Sequence, residues 1–343
     1  MNADTIMPLA EFTAQMLPAI EEEMQACISI TRNDGLEELH HMLAYHLGWE
    51  GAGAEEKASG KRVRPLLVLL SNAAAGGEWQ CALPAAAAVE LVHNFSLIHD
   101  DIQDNSPLRR GRETVWKIWD IPQAINAGDS MFSLAHIALK RLKELIPLEQ
   151  VIQAQILLPM ACLHLTQGQY LDLSYEERDD LSVADYWPMI QGKTSSLIAT
   201  CTELGALTAG VNDKTQAAYR EFGHLVGLAF QVHDDILGIW GDVDITGKSA
   251  ISDLLEGKKS LPVLYALEQG GEFSQRWSKG PIREDEVADI ADLLKNEGAY
   301  DYAKKEADTL TQKALHALEQ AEPSGSAALA LRQLANQLTH RAS

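Results

Sequence analysis

The stretch LIHDDIQDNSPLRRGR, residues 97–112, sets Asp100, Asp101 and Asp104 just ahead of Arg109, Arg110 and Arg112. A helix through 89–104 would put Asp100 and Asp104 on one face about a turn apart, where like charges repel. A hard divalent cation reverses that repulsion, as Mg2+ does when it bridges carboxylates and phosphate oxygens. One such cluster could equally be a solvated acidic helix end. A second, FQVHDDILGIWGD, places Asp234, Asp235 and Asp242 after the apolar run EFGHLVGLAFQV. If the two helices face each other, their carboxylates form an acidic cup that needs metal and suits a metal-bound diphosphate.

Cations come in three places beside Gly or Pro: Lys61, Arg62 and Arg64 in GKRVRP; Arg109, Arg110 and Arg112 in LRRGR; Lys248, Lys258 and Lys259 in GKSAISDLLEGKKSLP. The rigid fork of arginine suits phosphate oxygens, so these groups read as diphosphate clamps. ASGKRVRP is not a phosphate-binding P-loop: no Gly stands five residues before Gly60, Arg62 replaces the required Ser or Thr, and no strand precedes it.

The elements that must carry these groups read as helices. Apolar residues recur at helical spacing almost throughout, with no sustained alternation bounded by hairpin turns, so the chain is expected to be all-α. MPLAEFTAQMLPAIEEEMQACISI, CALPAAAAVELVHNFSLIHDDI and the residues around 252–269 read as helices or helix ends. GWEGAGAEEKASGKRVRP, DNSPLRRGRET and GDVDITGKSAIS read as connecting loops. The C-terminal third reads as packing helices, with a last helix capped by Ser324 or Ser326. No repeat or Ser/Gly linker divides the 343 residues, so one domain is expected over 1–343, with a motif-bearing core at about 60–262 and a helical tail at about 283–340.

A hydrophobic content of 46% can bury a large core. The net charge of −21 argues against a nucleic-acid partner, since phosphate backbones are held by a positive surface field. Cys27, Cys81, Cys162 and Cys201 are scattered without a CxxC pair, as in reduced structural thiols. No apolar run approaches the ~20 residues that cross a bilayer, and the N-terminus lacks a basic region followed by an apolar one. A cytoplasmic protein without membrane insertion is expected.

Taken in order, GKRVRP, DDIQD with RRG, GKTSSL, FQVHDD with a following GD, and GKSAISDLLEGKKSLP resemble the trans-isoprenyl diphosphate synthase, or polyprenyl synthetase, family over about Gly60 to Pro262. The resemblance implies the isoprenoid synthase type I helical bundle around a deep central cavity, in a homodimer. It implies a prenyltransferase that condenses isopentenyl diphosphate with a C5 to C15 allylic diphosphate. Asp100, Asp104 and Asp234 would bind three Mg2+, supported by Asp101 and Asp235. Lys61, Arg64, His93 and Arg110 would bind isopentenyl diphosphate; Arg109, Lys193, Thr194, Gln231, Lys248 and Lys258 would hold the allylic diphosphate. Metals and cations would neutralise the leaving diphosphate, so no nucleophilic triad or reactive cysteine is needed.

One position departs from the family pattern. The second motif there reads DDxxD, but Gly238 stands at its fifth place. Either Asp234 carries its metal alone with water completing the shell, which is favoured because Mg2+ keeps waters readily, or the site is weakened. Chain length is read from the residues before the first aspartates. Phe95, with Ser96 and Val92, would form the floor, as in short-chain synthases of the geranylgeranyl type, giving C20 first and C15 next. Packing alone would also explain Phe95.

His99 and His233 read as hydrogen-bonding residues rather than Mg2+ ligands; Trp116, Trp119 and Trp240 as packing; and Gln167, Gln169 and Asp172 as supports behind the site. Two rivals stand beside this reading. A class I terpene cyclase would lack the GKRVRP and paired-arginine sites, and a non-catalytic regulatory subunit has only Gly238 in its favour.

Overall fold

The computed structural model describes residues 9–51, 60–241 and 252–339. The stretches read as loops at 52–59 and 242–251 fall outside these, as do Asp242 and Lys248. The described chain is helical apart from one pair of two-residue strands. It divides into two compact units, the first comprising Met1–Met160, Thr200–Ala217 and Glu322–Leu331, the second Ala161–Ala199, Ala218–Ala321 and Arg332–Ser343.

In the first unit, α1 (Leu9–Ile28), α2 (Glu37–His46) and α3 (Val63–Ala74) lead to α4 (Leu83–Gln103). Pro84 opens α4, where its missing N–H costs nothing. The small Ala85–Ala88 run that follows is fully buried, which lets neighbouring helices approach closely. The helix ends at Asp104, whose N–H donates 2.9 Å to the Asp100 carbonyl, and the chain reverses through Asn105 at φ 49°.

The expected loop DNSPLRRGRET is in fact a hairpin. β1 (Leu108–Arg109) pairs antiparallel with β2 (Arg112–Glu113), and Arg110 and Gly111 both have positive φ, 52° and 77°, as a type I′ turn requires. Its base is braced by the Ser106 carbonyl, which accepts from Thr114 Oγ1 at 3.0 Å and Trp116 Nε1 at 2.9 Å. α5 (Val115–Lys140) packs along α4. It is interrupted at Asp120, whose Oδ1 accepts from the Gln123 N–H and restarts the helix.

α6 (Leu148–Tyr175) gives its first half to this unit and its second half to the other, and α8 (Ser196–Thr208) gives its first turn to the other and the rest to this one. In the second unit, α7 (Val183–Ile190) starts at a capping box, with Ser182 and Asp185 bonded reciprocally. It runs into a π-helical turn, Gln191–Ser195, before α8. α9 (Asp213–Trp240), the short α10 (Ser252–Leu255) and α11 (Leu261–Gln269) follow, and then α12 (Glu272–Trp277), α13 (Val287–Asn296) and α14 (Ala299–Gln320). Ile239, Leu254, Val263, Phe273 and Leu294 share one buried cluster, which pins α10 against the end of α9. Trp240 packs edge-on to Tyr300 and donates 3.1 Å to the Ala291 carbonyl, the structural role expected of it.

The last helix, α15 (Gly325–Thr339), follows Ser324, whose N–H and hydroxyl both reach the Ala74 carbonyl, at 2.8 and 3.4 Å. All four cysteines are free. One described helix, Trp79–Gln103, is long and apolar enough to cross a bilayer, which the sequence reading did not anticipate. Most of it is buried within the fold, as in a core helix.

Candidate functional site: two carboxylate helices and three divided basic clusters

At the end of α4 the helical repeat separates the three aspartates. Asp100 and Asp104 fall one turn apart on the outer face, while Asp101 points inward and is 2% exposed. Asp101 spends its carboxylate on Arg109: the guanidinium Nε donates 2.8 and 3.0 Å to its two oxygens, and a second nitrogen lies 2.8 Å from Oδ1. Burial raises the Asp101 pKa and the arginine pulls it back. Asp101 thereby fixes the direction of the Arg109 guanidinium.

In each basic cluster one cation is spent on the protein's own carboxylates or carbonyls. In GKRVRP, Arg62 is 3% exposed and is held by Glu21 at 2.6 Å and Glu90 at 3.0 Å, with a further bond to the Leu47 carbonyl. In LRRGR, Arg112 lies 3.9 Å above the Tyr45 ring and donates to the carbonyls of Tyr45 and Glu50. Among the C-terminal lysines, Lys259 donates to the carbonyls of Tyr175, Glu176 and Arg178. The reading of all three clusters as diphosphate clamps is thus corrected: Arg62, Arg112 and Lys259 hold backbone and buried carboxylates in place.

Lys61, Arg64, Arg109 and Arg110 remain in the first unit. Arg64 donates 3.1 Å to His93 Nε2. Gly60, at φ +78°, lies so close to Arg110 that a Cβ there would stand 2.7 Å from the guanidinium carbon. Burial and the surrounding arginines hold both His93 and His46 well below the usual histidine pKa. Burial likewise lowers Arg64 and Arg110, with neighbouring arginines adding to the effect at Arg110. Such a crowd of cations is unfavourable alone and is relieved by an anion. A small pocket beside it is lined by His46, Arg109, Arg110 and Arg112.

Of the expected allylic-diphosphate residues of the second unit, Thr194 and Gln231 are hydrogen-bonded to each other, while Lys193 and Lys258 pair with acids. A Cβ on Gly168 would stand 2.0 Å from the Lys193 amide nitrogen, and one on Gly192 would stand 2.7 Å from the His164 carbonyl oxygen. These two glycines let α6 and the π-turn touch. A π-turn adds a residue to the helix and turns its neighbours, a feature frequent at functional sites. Here it presents Lys193 to Asp172, with which it pairs, and Thr194 to Gln231 Oε1 at 2.7 Å. Gln231 Nε2 donates 3.0 Å to Asp235 Oδ1.

Asp235 Oδ2 accepts from the Tyr186 hydroxyl at 2.7 Å and the Leu261 N–H at 3.0 Å. Burial pushes the Asp235 pKa up to about 7; the Leu261 N–H pulls it down, and Asp253 pushes it up. Sequence reading did not find Tyr186, a fully buried tyrosine. Asp235 thus ties α7, α9 and α11 together, while Asp234, beside it, is exposed. Lys258 reaches Glu256 at 2.8 Å and Asp253 at 3.6 Å; burial opposes its charge, but the two acids outweigh this and raise its pKa.

Of the expected floor, Val92 is fully buried and the Ser96 hydroxyl donates 2.8 Å to the His93 carbonyl. Phe95 meets His99 edge-on at 5.2 Å and Phe132 of α5 at 5.3 Å, and Phe132 in turn meets His136 at 4.7 Å. Phe132 and His136 had no signal in the sequence. His99 lies 3.4 Å from the Ile125 carbonyl and packs so tightly on Gly128 that a Cβ there would stand 2.3 Å from its ring.

With this geometry in view, the comparisons agree. The polyprenyl synthetase family profile matches residues 54–295. The chain is 40% identical over 292 residues to the geranylgeranyl diphosphate synthase of Mycobacterium tuberculosis, covering 83% of each. It is 40% identical over 276 residues to a (2E,6E)-farnesyl diphosphate synthase of the same species, covering 78% of this chain and 76% of that one. A polyprenyl synthetase from Streptomyces coelicolor superposes with a TM-score of 0.87 at 35% identity, covering 96% of this chain and 99% of that one. A polyprenyl synthase from Caulobacter crescentus, solved with calcium and isoprenyl diphosphate, gives 0.80 at 29%, covering 97% and 98%.

The chain belongs to the polyprenyl synthetase family, has its helical isoprenoid synthase fold, and is a transferase of the prenyl diphosphate synthase class.

Proposed function

We propose that the protein condenses isopentenyl diphosphate with an allylic diphosphate of 5 to 15 carbons in a Mg2+-dependent reaction, giving all-trans geranylgeranyl diphosphate first and farnesyl diphosphate next. The observation that carries this reading is the division of the aspartates: Asp101 and Asp235 turn inward to orient Arg109 and the Thr194–Gln231 pair, leaving Asp100, Asp104 and Asp234 on the outer faces. Relatives named for geranylgeranyl and farnesyl diphosphate support the products, and the calcium and isoprenyl diphosphate of the Caulobacter protein support the metal and substrate.

The donor set fits Mg2+. Among the described residues, no three His, Cys, Asp or Glu side chains converge as a ready metal site, and Mg2+ is commonly held by one or two carboxylates with water and substrate phosphates. Bound by Asp100, Asp104 and Asp234, up to three Mg2+ would neutralise charge on the leaving diphosphate. Arg109, Lys193, Thr194, Gln231, Lys258 and Lys248 hold the allylic diphosphate, and Lys61, Arg64, His93 and Arg110 hold isopentenyl diphosphate. Phe95 limits the growing chain.

We read the protein as a cytoplasmic homodimer. Ile118, Ile121 and Ile125 of α5 are exposed, as are Leu148, Ile152, Ile156 and Met160, which recur every fourth residue along α6; a second copy would cover them.

The test is incubation of pure protein with Mg2+, labelled isopentenyl diphosphate and C5, C10 or C15 allylic diphosphates, followed by product identification. A C20 product is expected. Absence of elongation from all three primers overturns the synthase reading.

A further inference from the structure

Positions 234 and 238 lie four apart on α9 and so share a face one turn apart, the relation that Asp100 and Asp104 have on α4. The second position is Gly238, with no carboxylate of its own. The space beside it is nevertheless filled: a Cβ on Gly238 would stand 2.2 Å from Asp253 Oδ2, 2.5 Å from its Cγ and 3.0 Å from Oδ1. A carboxylate already occupies the volume into which a side chain at 238 would grow, and it arrives from another element, α10.

Its placement is fixed from below. Leu254, the next residue, is fully buried in the cluster that also contains Ile239, the residue after Gly238. Both partners of the contact are therefore anchored by their chain neighbours in one core. The Asp253 side chain is 14% exposed, and the described cation beside it, Lys258, stands 3.6 Å away while lying closer to Glu256 at 2.8 Å. The Asp253 carboxylate thus sits in a largely desolvated place, paired with Lys258 at 3.6 Å.

We infer that Asp253 supplies, from α10, the carboxylate that works with Asp234 in holding the metal, and that Gly238 is the residue that admits it. Resting on the reading of the chain as a Mg2+-dependent prenyl synthase, this replaces both alternatives offered for Gly238: Asp234 is not alone, and the site is complete. The two positions form one unit, so a side chain at 238 and the carboxylate at 253 exclude each other.

The test measures calorimetric binding of geranyl S-thiolodiphosphate, an allylic analogue that ionises poorly, to the full chain across a Mg2+ titration, with melting temperatures recorded without metal. Asp253→Asn should raise the Mg2+ concentration for half-maximal analogue binding about tenfold while melting within a few degrees of the parent. Gly238→Asp alone should lower the melting temperature. Gly238→Asp combined with Asp253→Ala should recover both the melting temperature and a Mg2+ midpoint within about threefold of the parent.

An unchanged midpoint in Asp253→Asn overturns the inference, as does a double variant no better than Asp253→Ala alone. Those outcomes leave the synthase reading standing if the parent binds the analogue with Mg2+. A parent that shows no Mg2+-dependent binding overturns both.

Discussion

Arg64 donates a 3.1 Å hydrogen bond to His93 Nε2, so this nitrogen is an acceptor and the imidazole is neutral. Its low pKa comes from burial and the facing arginines, and His46 shares that environment. A histidine depressed in the folded state binds its proton more readily when unfolded. Its contribution to stability is complete above the unfolded value near 6.5 and is lost as pH falls below it. The urea midpoint should therefore drop between pH 7 and 5, and His93→Gln and His46→Gln should each flatten the slope. Identical slopes in parent and variants would remove the claim that these rings are buried neutral.

Arg109 depends on Asp101 for its direction, because two of its nitrogens are fixed on one buried carboxylate. Asp101→Asn keeps the shape but removes the charge that holds the fork. The KM for the allylic diphosphate should rise about tenfold, equivalent to about 1.4 kcal/mol, with a smaller change in kcat. Arg109→Lys should do the same, since an ammonium cannot reproduce the paired geometry. Steady-state kinetics with the allylic substrate varied would decide it; a pure kcat effect would reassign Asp101 to the metal.

Gly168 and Gly192 permit the contact that presents Lys193. Methyl groups there would meet backbone, which cannot swing aside as a long side chain can. Gly168→Ala should cost about 1–3 kcal/mol of stability, the range for overpacking a tight contact, and should also lower turnover by disturbing the π-turn. Chemical denaturation alongside turnover measures both, and a variant with parental values in each would show that the helices can part at no cost.

The helical class was legible because apolar spacing repeats along nearly the whole chain, and the acidic face at the end of α4 because Asp100 and Asp104 stand four apart on it. What escaped reading was set by tertiary neighbours. Nothing in the spacing of Arg62, Arg112 and Lys259 separates them from the cations beside them; their partners, Glu21 and Glu90, Tyr45 and Glu50, and Tyr175, lie far along the chain. The hairpin at 108–113 left a trace, Gly111 in the second turn position, but strands of two residues carry no alternation. The π-turn at 191–195 left none. Gly238 was seen as an anomaly, and only the fold shows the Asp253 carboxylate against it.

The proposed chain-length floor at Phe95 draws on two helices rather than one. Phe95 is held by His99 on its own helix and by Phe132 on α5, whose ring lies 5.3 Å away and is backed by His136. Removing Phe95 alone leaves Phe132 free to lean into part of the space, since rings at this spacing fill gaps by tilting. Phe95→Ala should therefore lengthen the product by one or two five-carbon units, Phe132→Ala by fewer, and the double variant by more than the two combined. Neighbouring groups that support one another give such non-additivity, whereas independent ones do not. Chromatography of the dephosphorylated products from each variant measures it. If Phe132→Ala and the double variant match the parent and Phe95→Ala respectively, the barrier is Phe95 alone; if Phe95→Ala is itself unchanged, the growing chain takes another path.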